Sequence, residues 1–150
     1  MSAPFVPADF AVPTEFFAEG FRLEPLGPEH NARDHQAWMS SIEHIHATPG
    51  FPFGNWPYAM DLAANLADLE KHAQEFVERL GFTYSVLDGD DVIGCLYIYP
   101  CKDPAFDARV RSWVTTARAE MDDVVRGAVY DWLRREWPFE RLDYAGIQAS

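Results

Sequence analysis

Glu43, His44 and His46 stand together where a helix pattern runs into an aromatic loop, and a carboxylate or imidazole so placed can act as a general base. The plainer reading is a solvated helix end. His44 and His46 also suggest a metal pair, but two residues apart on a helix their rings point about 200° from each other. No Cys, Asp or Glu set completes a ligand shell at a recognisable spacing, so no metal is expected. Tyr97, Tyr99, Trp113, Arg109 and Arg111 fall at alternating positions of two strand-like segments and share one sheet face. They can line a pocket in which arginine lies on aromatic rings, or form a core whose arginines pair with surface acids. Phe51, Phe53, Trp56 and Tyr58 divide in the same way between pocket wall and satellite core. Cys101 has no histidine near it in sequence to activate it as a nucleophile.

Strands must hold these side chains. Phe82–Leu87 is rich in aromatic and β-branched residues, and Asp88-Gly89-Asp90 after it supplies the positive φ of a tight hairpin turn. Val92–Tyr99 is apolar on both faces, with Val92, Gly94, Leu96 and Ile98 on one and Ile93, Cys95, Tyr97 and Tyr99 on the other. That pattern predicts a central strand covered on both sides, ended by Pro100. Ala108–Val114 makes the third strand of the meander. A helix over roughly Asp122–Glu136 follows, with Val125, Ala128, Val129, Trp132 and Leu133 on one face. Arg141–Ala145 is a final strand, and a short helical crossover implies a parallel pair.

Ahead of the meander, Phe21–Leu26 alternates as a short strand whose Pro25 suggests a sheet edge. Pro28 and Glu29 open a helix presenting His35, Trp38, Met39, Ile42 and Ile45. The stretch Thr48–Tyr58 holds three prolines and two glycines, which forbid a helix. Asp61 can cap a helix running to about Leu80 and ending at Gly81, with Leu62, Leu66, Leu69, Ala73, Phe76 and Leu80 as its stripe. Residues 1–20 combine prolines with phenylalanines and predict an extended arm lying on its own domain or on a partner.

The chain has 150 residues, 48% of them hydrophobic, which suits one folded domain. Its 24 acids against 12 bases give a formal charge of −12. Nucleic acid and anionic membrane both demand a basic patch, so neither is expected as a partner. Without a secretory pattern at the amino terminus, and with Cys95 and Cys101 best read as reduced thiols, a cytoplasmic location is expected.

The order strand, helix, helix, three-strand meander, helix, strand resembles the GNAT N-acetyltransferase superfamily over roughly residues 21–145. Phe21-Arg22-Leu23-Glu24-Pro25-Leu26-Gly27-Pro28-Glu29, Asp91-Val92-Ile93-Gly94-Cys95-Leu96 and Trp132-Leu133-Arg134-Arg135 are similar to local segments of that family. The resemblance implies an α/β fold, a mixed sheet with helices on both faces, forming one domain over 21–150 that is shortened at its carboxyl end. Acetyl-CoA would then lie along Arg109–Val114, touching Trp113, Val114, Thr115 and Arg118. The same resemblance implies a small-molecule or peptide amine as acceptor, framed by His46, Phe53, Trp56, Tyr58, Tyr97, Tyr99 and Arg111. Glu43 would be its base and Tyr144 the acid for the leaving thiolate. The chain departs from the family between Val114 and Val124. Where the family has a glycine-containing pyrophosphate loop, it reads Thr115-Thr116-Ala117-Arg118-Ala119-Glu120-Met121-Asp122-Asp123. Small residues let backbone N–H groups approach an anion, and acids at the same helix start repel one. The alternative is therefore a GNAT-like ligand-binding or protein-interaction module without catalysis. The few residues after the last strand leave a parallel edge for a partner copy to cover, whence a homo-oligomer is expected, or for the amino-terminal arm to fill.

Overall fold

The computed structural model describes residues 4–147. Six strands follow one another across a single sheet in chain order: β1 (Phe16–Ala18), β2 (Phe21–Pro25), β3 (Phe82–Asp88), β4 (Asp91–Tyr99), β5 (Ala108–Val114) and β6 (Leu142–Tyr144). Every neighbouring pair is antiparallel except β5 and β6. Helices α1 (Asn31–Met39), α2 (Ile42–Ala47) and α3 (Leu62–Val77) precede the meander, and α4 (Met121–Glu136) makes the crossover to the parallel strand.

As its composition requires, β4 lies in mid-sheet between β3 and β5 with a separate apolar core on each face. One core joins Leu96 and Ile98 to Val125, Val129, Trp132 and Leu133 of α4. The other joins Cys95 and Tyr97 to Trp38, Ile45, Phe51 and Leu69 from the α1–α3 layer. Simple alternation fails at one point. Val86 pairs with Gly94 but Leu87 pairs with Val92, so β4 carries an extra residue there. This bulge sends Ile93 to the α4 side and Val92 to the α1–α3 side, the reverse of the expected assignment. Gly94 sits at the bulge, where a Cβ would collide with the backbone carbonyl of Trp113.

Three further elements differ from the sequence pattern. The expected arm contains β1, because the prolines stop at Pro13 and leave Phe16–Ala18 free to pair with Phe21–Leu23. From Pro4 to Pro13 the arm lies on its own domain, and residues 1–3 lie outside the described residues. Val6 is buried, Phe5 stacks between Phe82 and Phe139, and Tyr84 donates its hydroxyl to the Pro13 carbonyl at 2.6 Å. Pro25 does occupy an edge, since β1 pairs only as far as Leu23.

The helix expected from Pro28 onward is broken into a 3-10 turn, α1 and α2. The break falls at Ser40 and Ser41, whose hydroxyls bond to backbone and so compete with the helical ladder. Ser40 donates to the Ala37 carbonyl, and Ser41 accepts the N–H of Thr116 at 2.9 Å. Helix α3 is capped by Asp61, which accepts the Ala64 N–H at 2.8 Å, but it ends at Val77 rather than near Leu80. Arg79, at φ 62°, takes the left-handed position expected of Gly81. Gly81 is needed for space instead, because the Tyr99 ring occupies the room a side chain would use.

Gly94→Ala should destabilise the fold by about 1–3 kcal/mol, since the blocking atom is backbone. Gly127→Ala, mid-helix in α4 with nothing within 4 Å of the new methyl, should stabilise it by about 0.5–1 kcal/mol. Urea midpoints of the two variants, at unchanged slope, check both signs.

Candidate functional site

A cavity of about 370 Å³ opens between the β4–β5 face and helices α1 and α3. Its sheet side is Tyr97, Tyr99 and Arg111, three of the five side chains expected to share a face. Arg111 is clamped between rings, its guanidinium carbon 5.0 Å from the Phe51 centroid and 5.1 Å from that of Tyr97. Its Nη1 also donates to the Gly50 carbonyl at 3.3 Å. Trp113 lies one step behind the pocket and donates Nε1–H to the Tyr97 hydroxyl at 3.0 Å, which fixes that ring. Arg109 is exposed and stays outside. From the aromatic loop, Trp56 and Tyr58 reach the cavity, with Trp56 also packed on Trp38 and Trp113.

The opposite wall is polar. Asp34 of α1 is 4% exposed, and its Oδ2 accepts from Asn65 Nδ2 at 3.1 Å. Asn65 is itself locked, accepting Trp38 Nε1–H at 3.1 Å and donating to Asn31 Oδ1 at 2.8 Å. Burial pushes the Asp34 carboxyl up to about 6, against the opposing pull of the Asn65 hydrogen bond. Further along α3, the Tyr99 hydroxyl donates to Glu75 Oε1 at 2.8 Å and meets His72 Nδ1 at 2.8 Å. The Thr83 hydroxyl lies 3.2 Å from the same nitrogen, so His72 Nδ1 is tied to both β3 and β4. Burial pulls the His72 pKa below its ordinary value, opposed by the charge of Glu75.

None of Asp34, Asn65, His72 and Glu75 is evident from an apolar reading of the helices. The buried stripe of α3 runs through Asn65 and Leu69, while Leu62 and Leu80 are exposed. The signal available was polar residues at helical spacing among apolar ones, Asp34-Ala37-Trp38-Ser41 and Asn65-Leu69-His72-Phe76.

Other candidates stand elsewhere. Glu43 is exposed and lines a separate cleft with Ser41, His44 and Thr116. The nitrogens of His46 face the Phe51 and Pro57 carbonyls at 3.0 and 2.7 Å, and its ring stacks on an exposed Phe53, so both residues fasten the loop. Tyr144 lies inside β6, 2% exposed, with its hydroxyl 2.6 Å from Ser112 Oγ on the α4 side. Burial drives that hydroxyl well above its ordinary pKa.

Strands β5 and β6 pair only over Ala108–Val110 and Leu142–Tyr144, with Ala145 N–H bonding the Val110 carbonyl. Beyond that point β5 has no partner on this side among the described residues, as far as Val114. Thr115 N–H bonds the Ile93 carbonyl, so alternation turns the backbone groups of Ser112 and Val114 toward the side β6 has left. Arg111 and Ala145 meet Gly50 at this parting, which therefore adjoins the pocket.

No protein-family model matches the sequence, and no curated protein sequence does so either. Solved structures do resemble the fold. The ribosomal-protein-S5-alanine acetyltransferase of Vibrio fischeri matches with a TM-score of 0.63 at 15% identity, covering 85% of this chain and 71% of its own. RimL, the ribosomal L7/L12 α-N-protein acetyltransferase, solved with coenzyme A, matches at 0.59 and 11% identity, covering 79% and 66%. The microcin C7 self-immunity acetyltransferase MccE, solved with acetyl-CoA and AMP, matches at 0.55 and 9% identity, covering 77% and 63%. The architecture is that of the GNAT N-acyltransferases, a mixed sheet with helices on both faces. At such identities the likeness establishes fold and leaves activity to the site.

Acetyl-CoA is the group that this fold implies, and the residues present fit it at one end only. The unpaired edge of Ser112–Val114 suits an extended chain such as pantetheine. The segment before α4 does not suit a pyrophosphate. Its N–H groups at Thr116, Arg118, Ala119 and Asp122 are bonded to Ser41, Thr115, Thr116 and Ala119. Arg118 is held by Asp88 at 2.9 Å and Glu120 at 3.2 Å. Asp122, in the first turn, faces His44 at 2.8 Å.

The raised Asp34 pKa has a consequence for stability. Between the unfolded value of 3.8 and about 6, the folded chain holds a proton that the unfolded chain has released, so stability falls as pH rises through that window. Asp34→Asn should therefore be more stable than the natural chain at pH 7.5, by up to about 3 kcal/mol. The gain should fade toward pH 4, as read by urea unfolding across the range.

Proposed function

We propose that this chain is an N-acyltransferase that acts on an amine held in the cavity between α1, α3 and the sheet, with an acyl thioester of the acetyl-CoA type as donor. The observation that carries this reading is the contact between the two halves of the site. Arg111 belongs to the pocket wall and to the point where β5 parts from β6, so a ligand in the cavity lies beside the unpaired strand edge. The thioester would supply the acyl group. This chain's own part is to orient the amine, shield it with Trp56, Tyr97 and Tyr99, and offer an N–H to the developing oxyanion. Of the three residues 113–115, Val114 is the one whose N–H faces the open side, because alternation turns those of Trp113 and Thr115 toward β4.

A second reading has its own support. The segment before α4 bonds the amides of Thr116, Arg118, Ala119 and Asp122 internally, as it does its arginine, which favours a GNAT-fold protein that binds a ligand in the same cavity without the cofactor.

Calorimetric titration separates the two. On the transferase reading acetyl-CoA binds weakly, with Kd about 0.1–1 mM, and S-acetylpantetheine binds within about threefold of it, because the phosphates add little. Acetyl-CoA binding a hundredfold tighter than acetylpantetheine would show that the α4 start does grip phosphate. No heat and no thermal stabilisation with either compound at millimolar concentration would remove the transferase reading and leave the second.

A further inference from the structure

We infer that the cavity is built for an amine bearing a single positive charge and a flat apolar body, its ammonium at the Asp34 carboxylate and its body against Trp56 and Tyr97. The inference deepens the acyltransferase reading by naming the class of acceptor, and the ligand-binding reading would inherit the same ligand.

Asp34 carries the first half. The carboxyl is almost wholly buried yet lines the cavity, and no cation lies within ion-pair distance of it among the described residues. Only Oδ2 has a hydrogen-bond donor there, from Asn65. Two histidines lie close enough to act on it electrostatically, but both are engaged elsewhere. His30 accepts the Gly27 N–H on Nδ1 and turns Nε2 to Glu24 at 2.7 Å; His35 Nε2 is 2.6 Å from the Met60 carbonyl. A buried carboxylate with a free oxygen facing a cavity is costly when ionised, and an ammonium entering that cavity removes the cost.

The remaining charges limit the ligand to one. Glu75 keeps its charge although the Tyr99 hydroxyl engages Oε1, and with Asp34 and Asp68 against Lys71 and Arg111 it leaves the lining with one net negative charge. Asp68 is exposed at the rim, with Lys71 also exposed there, so the rim is close to neutral. Arg111 is fixed in the wall and would oppose a second cation. The body has a place as well. Trp56 and Tyr97 meet with centroids 6.5 Å apart at 71°, and both rings line the cavity, leaving aromatic surface for a ring in the pocket. About 370 Å³ is at the small end for ligand pockets, which suits a ring on a short chain better than a peptide.

The test uses the full chain without any thioester, so its outcome is independent of donor binding. Tryptophan fluorescence and calorimetry at pH 7.5 would follow titration with 2-phenylethylamine, 2-phenylethanol, phenylacetate, butylamine and 1,4-diaminobutane. Phenylethylamine should bind at least about tenfold more tightly than each of the others. Asp34→Asn should abolish its advantage over phenylethanol, and Trp56→Leu its advantage over butylamine, each leaving the other preference in place. In the natural chain amine affinity should fall below pH 6 as Asp34 takes a proton; His30 and His35 on its own side, Asp68, Lys71, His72 and Glu75 from α3, Cys95, Tyr97 and Tyr99 from β4 and Arg111 from β5 are the titratable or charged groups that face it or the cavity. Equal binding of amine and alcohol, a preference for the diamine, an unchanged Asp34→Asn variant, or no binding of any probe would each overturn the inference.

Discussion

The structure depends on one strand with no polar face. Because β4 is apolar on both sides, the chain must cover it twice, and it does so with two unlike layers. On the α4 side the cover is continuous aliphatic and aromatic packing, closed by the amino-terminal arm at Phe5, Val6 and Phe10. On the α1–α3 side it is incomplete. Two short helices, a proline-broken loop and one long helix meet there without filling the space over Tyr97 and Tyr99, and the cavity is what remains. The bulge at Ile93 and Gly94 lets one strand serve both layers, exchanging two side chains between faces without changing strand direction.

The polar wall has a physical cost that indicates its purpose. A stripe of leucine and phenylalanine at Asp34, Asn65 and His72 would close the cavity and gain buried apolar area. The chain places a carboxylate, an amide and an imidazole there, the first two held between α1 and α3 and the third by hydroxyls of the sheet. Asn65 joins Asn31, Asp34 and Trp38, so α1 and α3 are tied through a polar group as well as through the apolar core that Trp38 and Leu69 share. Buried polar groups of this kind at a cavity are characteristic of ligand sites, where stability is traded against binding.

The sheet was legible because its signals are local. A glycine between two aspartates sets the hairpin, proline ends β4, and the helix after β5 forces a crossover to a parallel strand. The face shared by Tyr97, Tyr99 and Arg111 follows from pairing two alternating strands. The helical layer was less legible, since its decisive contacts are distant in sequence. Ser41 breaks a helix in concert with Thr116, 75 residues later. The rotation of α3 is set by bonds from Asn65 to Asn31 and Asp34, more than thirty residues earlier. Hydrophobic periodicity, read alone, turned that helix toward Leu62 and Leu80 and so hid the polar half of the pocket. His46 and Phe53 were drawn toward the site by the loop's aromatic content, but carbonyls within the loop hold the histidine.

The segment between β5 and α4 is bound by contacts from separate elements at once. In an anion-binding loop the helix start must leave N–H groups free. Here Ser41 of the α1–α2 break takes the N–H of Thr116, His44 of α2 faces Asp122, and Asp88 at the β3 end of the hairpin turn takes Arg118. These contacts come from two separate elements and converge on a few residues, so the segment acts as a joint between the α1–α2 layer, the hairpin and α4. Asp122 and Asp123 remain favourable to the helix that follows, whose amino end carries partial positive charge. The same acids make a phosphate unwelcome there. A thioester that reached the unpaired edge of β5 would have to be held by its pantetheine-like portion and by the pocket beside it, so its recognition would rest on the α1–α3 cavity more than on the helix that follows β5.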